Sequence, residues 1–376
     1  MQHPEPKCPR SRAIINLAAL VLLSASPNAA EKWRMQYFYD KDESAVAFTD
    51  LQCPSAKRCV ASGILQEGKR DQGVIVVTAD GGVNWTLEDV KEHPISLFFL
   101  NEQKGWMVTD RGIWESVETG RAWKKIKEQK ELERVYFLDE KHGFAAGAPK
   151  VVLETLDGGR NWTPVAEADK APTAADNTIY HWIAFADPKH GIIVGSWELP
   201  PSPREVPDWM APERARYRHE FPPLTILLQT ADGGKTWTLF SHSFEGALAS
   251  FRYGSPGEGF ALFQFPDSAQ RAAELFQMDL ETKKNTSVYQ DPLRPARDFA
   301  VLPHGEVIVA AVEKSGKANN LPIPGKLKMM RSGSLKTWLN MDVDYRAVAG
   351  RAILATPDSN NMWVATDTGM ILKLQP

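Results

Sequence analysis

Thr78-Ala-Asp-Gly-Gly-Val-Asn-Trp85 decides the fold, because the chain spells it again. Thr155-Leu-Asp-Gly-Gly-Arg-Asn-Trp162 and Thr230-Ala-Asp-Gly-Gly-Lys-Thr-Trp237 are near copies. Ser116-Val-Glu-Thr-Gly-Arg-Ala-Trp123 is a weaker copy, and Arg331-Ser-Gly-Ser-Leu-Lys-Thr-Trp338 reads as a decayed one. Self-similarity at intervals of tens of residues marks a repetitive architecture. An apolar run precedes each intact copy: Val74-Ile-Val-Val77, Val151-Val-Leu153 and Thr225-Ile-Leu-Leu228. Such runs, bounded by Gly and Asp, read as buried strands. Asp80, Asp157 and Asp232 then sit where a carboxylate accepts N–H bonds from its own turn. Gly82, Gly159 and Gly234 supply the positive φ of a tight connection. Trp85, Trp123, Trp162 and Trp237 open the next strand and offer a large face to a neighbouring unit.

A second element precedes the motif. Val135-Tyr-Phe-Leu-Asp-Glu-Lys-His-Gly-Phe-Ala-Ala-Gly147 parallels Ile183-Ala-Phe-Ala-Asp-Pro-Lys-His-Gly-Ile-Ile-Val-Gly195, and Leu97 to Val108 is a third version. Each is an apolar strand, a polar turn ending in Gly, and a second apolar strand. One unit is therefore strand a, turn, strand b, loop, strand c, Asp-Gly-Gly turn and strand d. Four antiparallel strands per unit of about 40 residues is the pattern of a propeller blade. The motif matches Ser/Thr-x-Asp-x-Gly-x-x-Trp, the Asp-box, and resembles the bacterial neuraminidase repeat. The expected blades lie near 45–90, 95–127, 132–166, 181–241, 247–290 and 296–342, and the seventh starts at Ala352. That last unit lacks strand d within its own stretch, and Trp33 to Phe38 is expected to supply it and close the ring, removing two sheet edges. The prediction is all-β: one seven-bladed propeller over 31–376, with six or eight blades as the neighbouring counts.

Residues 1–30 read as a secretory signal: Lys7, Arg10 and Arg12 form a basic start, Ala13 to Leu23 the apolar stretch, and Ala25 to Ala30 a small-residue cleavage zone. This predicts export to the periplasm or beyond, with an uncleaved anchor as the alternative. The whole chain carries a formal charge of −3, and the first 30 residues are net basic, so the remainder is more acidic still. That balance gives no footprint for nucleic acid. Beyond the signal only Cys53 and Cys59 remain. They flank a short turn in the first blade, and in an exported chain they are expected to pair as a disulfide, with free or metal-binding thiols as the alternative. Nothing nearby is spaced to add metal ligands, and no cofactor is expected.

The Asp-boxes read as structural staples, so the candidate chemistry lies in the loops at one mouth of the ring. By analogy with the fold, that mouth is built from the b–c and d–a connections. The fourth blade inserts a long b–c loop, residues 198–223, carrying Arg204, Trp209, Arg214, Arg216, Tyr217 and Arg218. Arg with aromatics is the composition enriched at protein interfaces. A solvated loop neutralised by Glu205, Asp208, Glu213 and Glu220 is the competing reading. Glu313–Lys326 and Gln264–Ala273 are shorter insertions. Arg70, Arg111, Arg271, Arg297 and Arg346 fall in loops sent to the same mouth, where they are expected to form a basic patch. His181 reads as a satisfied structural histidine.

The signal, the Asp-box blades and the Phe-x-Asp-x-x-His-Gly strand pair together resemble the photosystem II stability/assembly factor-like family of bacterial propellers. The resemblance spans about 40–374 and is strongest over 95–240. It implies a scaffold that holds a membrane-protein intermediate through an arginine-rich face, to which Arg70, Arg111 and the 204–218 arginines would correspond. The resulting expectation is a non-catalytic scaffold with a protein partner in the cell envelope. The rivals are a glycan-active hydrolase and a polysaccharide-binding module. The Phe/Tyr-Arg-Ile-Pro motif of sialidases is absent, Phe251-Arg-Tyr-Gly254 being late and lacking Ile-Pro.

Overall fold

The computed structural model describes residues 31–197, 224–243, 246–265, 271–318 and 321–376. Seven inner strands surround one axis: Ser44–Gln52, Pro94–Phe99, Leu132–Phe137, Thr178–Phe185, Ala247–Ser255, Ala296–Val301 and Ala352–Asp358. Each runs up and down into a four-stranded antiparallel sheet. In blade 1 the succession is Ser44–Gln52, Cys59–Glu67, Arg70–Thr78 and Thr86–Val90. In blade 7 it is Ala352–Asp358, Asn361–Thr366 and Met370–Gln375, and Lys32–Phe38 completes the sheet with Trp33 opposite Leu374. The same N-terminal strand meets blade 6 in a short parallel pairing, Lys32 opposite Asp342. Trp33 is fully buried there, its indole N–H 3.5 Å from the Met341 sulfur, so the closure is a packed joint.

The Asp-box turns share one bonding scheme. The Thr78 hydroxyl donates to Asp80 (2.9 Å) and accepts the Gly82 N–H (3.0 Å), while Asp80 accepts the backbone and side-chain N–H groups of Asn84 at 2.9 and 2.7 Å. Thr155, Asp157 and Asn161 repeat it in blade 3, and Thr230, Asp232 and Thr236 in blade 4. These bonds favour the charged carboxylate. The Asn84 backbone N–H chiefly pulls Asp80 down to about 2, and the Thr236 hydroxyl does the same for Asp232. The second glycine has a further task. A Cβ on Gly82 would lie 2.4 Å from the Trp363 ring of blade 7, and one on Gly234 would lie 2.3 Å from Phe144 of blade 3. Each box thus touches the preceding blade with bare backbone. The box Trp seals the contact edge-on, Trp85 against Trp363 at 5.8 Å and Trp237 against Phe144 at 5.4 Å.

Blade 6 departs from the expected alignment. The anchoring hydroxyl is Ser332, which accepts the Leu335 N–H at 2.9 Å, and Leu335 takes the positive φ (60°) that glycine takes elsewhere. Ser334 then stands in the Asp place and Thr337 in the Asn place. This turn is one residue shorter than an intact box, so its first position is Ser332 and not Arg331. Another feature escapes the strand pattern: between blades 3 and 4 the chain forms a short helix, Ala166–Asp169, and a 3-10 turn, Ala175–Asn177. Tyr180 fixes the helix by donating to the Ala168 carbonyl at 2.8 Å. Cys53 and Cys59 are joined as a disulfide across the a–b turn of blade 1.

Candidate functional site

The inner strands carry the site. Six of them shift register at matching places, between Phe48 and Asp50, Pro94 and Ser96, Leu132 and Arg134, Tyr180 and Trp182, Leu248 and Ser250, and Ala296 and Asp298. A bulge kinks the strand and re-aims the side chain that follows. Here those side chains include Asp50, Arg134, Trp182, Ser250 and Asp298, all lining a central cavity of about 790 Å³.

Two carboxylates staple the ring from inside. Asp50 of blade 1 accepts the Leu97 N–H of blade 2 (2.8 Å) and pairs with Arg134 of blade 3 at 2.9 Å. Asp298 of blade 6 accepts the Leu354 N–H of blade 7 (2.8 Å) and pairs with Arg252 of blade 5 at 3.2 Å. Both arginines flank the Trp182 ring, Arg134 at 4.5 Å and Arg252 at 5.8 Å from its centroid, and the Trp182 indole N–H donates to the Phe251 carbonyl at 2.7 Å. A continuous charged belt therefore crosses blades 1, 3, 4, 5 and 6. Burial pushes the Asp298 carboxyl up, with Arg252 pulling against it. His181 lies beside this belt, its Nε2 3.0 Å from the Leu248 carbonyl, and burial holds it down to about 4, so it is neutral at pH 7. It acts as a spacer between blades 4 and 5.

The loop arginines are distributed around the b–c and d–a end. Arg70 opens the third strand of blade 1 and is exposed. Arg111 occupies the b–c turn of blade 2, 3.8 Å from Asp110. Arg346 pairs with Asp344 at 2.7 Å, and Arg271 is ion-paired with Glu274 while covering the Phe265 ring at 4.2 Å. Arg297 is at the start of blade 6's inner strand and lines the cavity. The five share an end of the ring but sit in separate blades, three with acidic partners beside them. Arg204, Trp209, Arg214, Arg216, Tyr217 and Arg218 lie outside the described residues. Arg134, Arg252 and Arg351 escaped the sequence reading. For Arg134 and Arg252 the one signal is a charged residue inside an inner strand, as in Leu132-Glu-Arg-Val135. For Arg134 it becomes directional only with the bulge. Arg351 stands just before its strand. Among the described residues no cluster of His, Cys, Asp and Glu could hold a metal, and no helix is long and apolar enough to cross a membrane.

Residues 84–179 match the family model described as photosynthesis system II assembly factor YCF48. The chain is an Asp-box propeller, and this segment is similar to that family. The match runs from the blade 1 box through blades 2 and 3 to the inner strand of blade 4. Among solved structures, YCF48 bound to D1 peptide aligns over 90% of this chain and 99% of its own, at 12% identity and a TM-score of 0.57. YCF48 from Cyanidioschyzon merolae aligns over 93% and 99%, at 15% identity and 0.58. The propeller domain of the Trilobed protease from Pyrococcus furiosus aligns over 87% and 94%, at 10% identity and 0.52. At these identities the likeness is one of fold. No curated protein matches the sequence.

Proposed function

We propose that this chain is an exported, non-catalytic scaffold that holds a polypeptide segment of an envelope or membrane protein at the b–c mouth of its ring. The observation that carries this reading is the cavity itself, where arginines alternate with aromatic side chains. Arg134, Arg252, Arg297 and Arg351 share the lining with Trp182, Tyr136 and Phe98, and that composition is favoured where proteins meet. The similarity of residues 84–179 to the YCF48 family adds support, as does the peptide held by the YCF48 structure of similar fold. Export is supported by the composition of residues 1–30 and by the Cys53–Cys59 disulfide, a bond that persists in oxidising compartments. The arginines and aromatics of the 198–223 sequence are the further candidates for partner contact in this reading.

The test is capture of partners. The chain, tagged at its C-terminus, is crosslinked in its native envelope and compared with the R214E/R216E/R218E variant. A specific set of membrane proteins lost in the variant, at unchanged thermal stability, is the expected result. Identical lists from both would remove the loop from the reading.

One observation favours a glycan-active alternative: a carboxyl pushed up by burial, Asp298, is what a general acid needs. Its oxygens are nevertheless engaged by Arg252 and the Leu354 N–H. A screen of glycosides with the wild type and Asp298→Asn decides it, and turnover abolished by the substitution would favour the enzyme.

A further inference from the structure

Of the four arginines on the cavity wall, two are neutralised in place and two are not. Asp50 holds Arg134, and Asp298 holds Arg252. Arg297 and Arg351 have no ion pair among the described residues. Arg297 is the second residue of blade 6's inner strand and Arg351 immediately precedes that of blade 7, and those adjacent strands are tied together by the Leu354–Asp298 bond. Arg351 makes one long contact, 3.5 Å to the Phe48 carbonyl. Among the described residues Arg297 makes no hydrogen bond and its Nε is buried without an acceptor, as is one terminal nitrogen of Arg252 on the same wall. Asp367 draws on Arg297 electrostatically from beyond ion-pair distance, and one of its oxygens is already committed to the Gly350 N–H.

A buried N–H without an acceptor is costly, more so on a charged group. A guanidinium presents a planar fork that fits an oxyanion through two parallel bonds. Among the described residues no carboxylate fills that fork, and the cavity has room for an anion.

We infer that the blade 6 and 7 wall of the central cavity is a binding site for one small oxyanion, held by Arg297 and Arg351 with Arg252 within the same cavity. The site lies in the cavity to which the proposed function assigns the partner's segment, but its occupation by a free anion requires no partner. The anion is a carboxylate or a sulfate-sized tetrahedral ion.

Calorimetric titration of the whole mature chain at low ionic strength tests this, with sodium acetate and sodium sulfate as separate probes. One-to-one saturable binding of at least one is expected, and the better probe distinguishes the planar from the tetrahedral class. In R297Q/R351Q the affinity should fall by about tenfold or more. In Arg346→Gln, an exposed cation at the same end but off the cavity wall, it should be unchanged. Circular dichroism and melting in anion-free buffer check that the double variant is folded. If it is not, Arg351→Gln alone is titrated instead. Weak, non-saturating heats of equal size in all variants would overturn the inference, because they report screening. Saturable binding indifferent to both arginines would also overturn it, because the anion would then sit elsewhere. The crosslinking comparison of the loop arginines is a separate measurement, so either reading can fail alone.

Discussion

Blades 4 and 6 solve the same turn with different residues. In blade 4, Thr230, Asp232 and Gly234 make the full box, and bare glycine backbone meets the Phe144 ring of the preceding blade. In blade 6 the turn is one residue shorter, Ser334 stands for the carboxylate, and Leu335 accepts the positive φ and, like Trp338, packs against the core cluster of blades 5 and 6. What both keep is a hydroxyl that accepts an N–H, a residue in the left-handed region, and an indole placed edge-on to an aromatic ring. Trp237 meets Phe144 at 5.4 Å, and Trp338 meets Tyr289 at 5.1 Å. The carboxylate is therefore an addition to the staple and not its foundation.

The largest expected difference is in the indoles. Trp237→Ala should cost about 3–5 kcal/mol, the range for emptying a core aromatic site. Trp338→Ala should cost less, because Trp338 is only partly buried. Equal losses in urea melts would break the comparison.

The glycine contact comes next. Gly234→Ala adds a Cβ 2.3 Å from Phe144 at a φ of 91°, so overpacking and backbone strain together should cost about 2–4 kcal/mol. Leu335→Gly in blade 6 should relieve the backbone while losing side-chain packing, for a smaller net change in the same melts.

The hydroxyls should be equal. Thr230→Val orphans the buried Gly234 N–H and Ser332→Ala the part-buried Leu335 N–H, for about 1–2 kcal/mol apiece. A clearly smaller loss at Ser332 would show that the contracted turn is held by packing alone.

The carboxylates differ in acid. Asp80 and Asp232 are held down to about 2 from an ordinary value of 3.8, and Asp157 is lowered in the same direction. Their contribution is fully present above the ordinary value and is lost as pH falls from 3.8 toward about 2. The D80N/D157N/D232N variant should flatten stability across that window. Ser334→Asp in blade 6 should add to its slope, if only slightly at so exposed a turn.

The boxes made the propeller legible, since their Gly and Trp identities are dictated by local geometry and blade contact. Blade limits came out within a few residues, including the N-terminal strand that closes the ring. The contracted box was misaligned by one, because Leu335 in the left-handed region is not what its residue type announces. The site was much less legible. Whether Arg134 or Asp298 faces the channel depends on a one-residue bulge, and a shift of one residue turns a side chain to the other side of its strand. Arg297 was noticed as a loop cation, whereas Arg252 was hidden in strand sequence and Arg351 in the connection just before a strand. Asp110, Glu274 and Asp344 stand within three residues of Arg111, Arg271 and Arg346 in the sequence, but only the structure shows them beside those guanidinium groups.

The central claim is that a polypeptide docks at the b–c end and that the Asp-box end is scaffolding. Amine-reactive crosslinking of the chain to its captured partner, mapped by mass spectrometry, tests it most directly. Exposed lysines mark both ends: Lys69, Lys130 and Lys314 at the b–c and d–a side, Lys57, Lys141 and Lys189 at the other. Crosslinks concentrated on the first three are the predicted result. Crosslinks concentrated on the second three would place the partner on the Asp-box face and contradict the account.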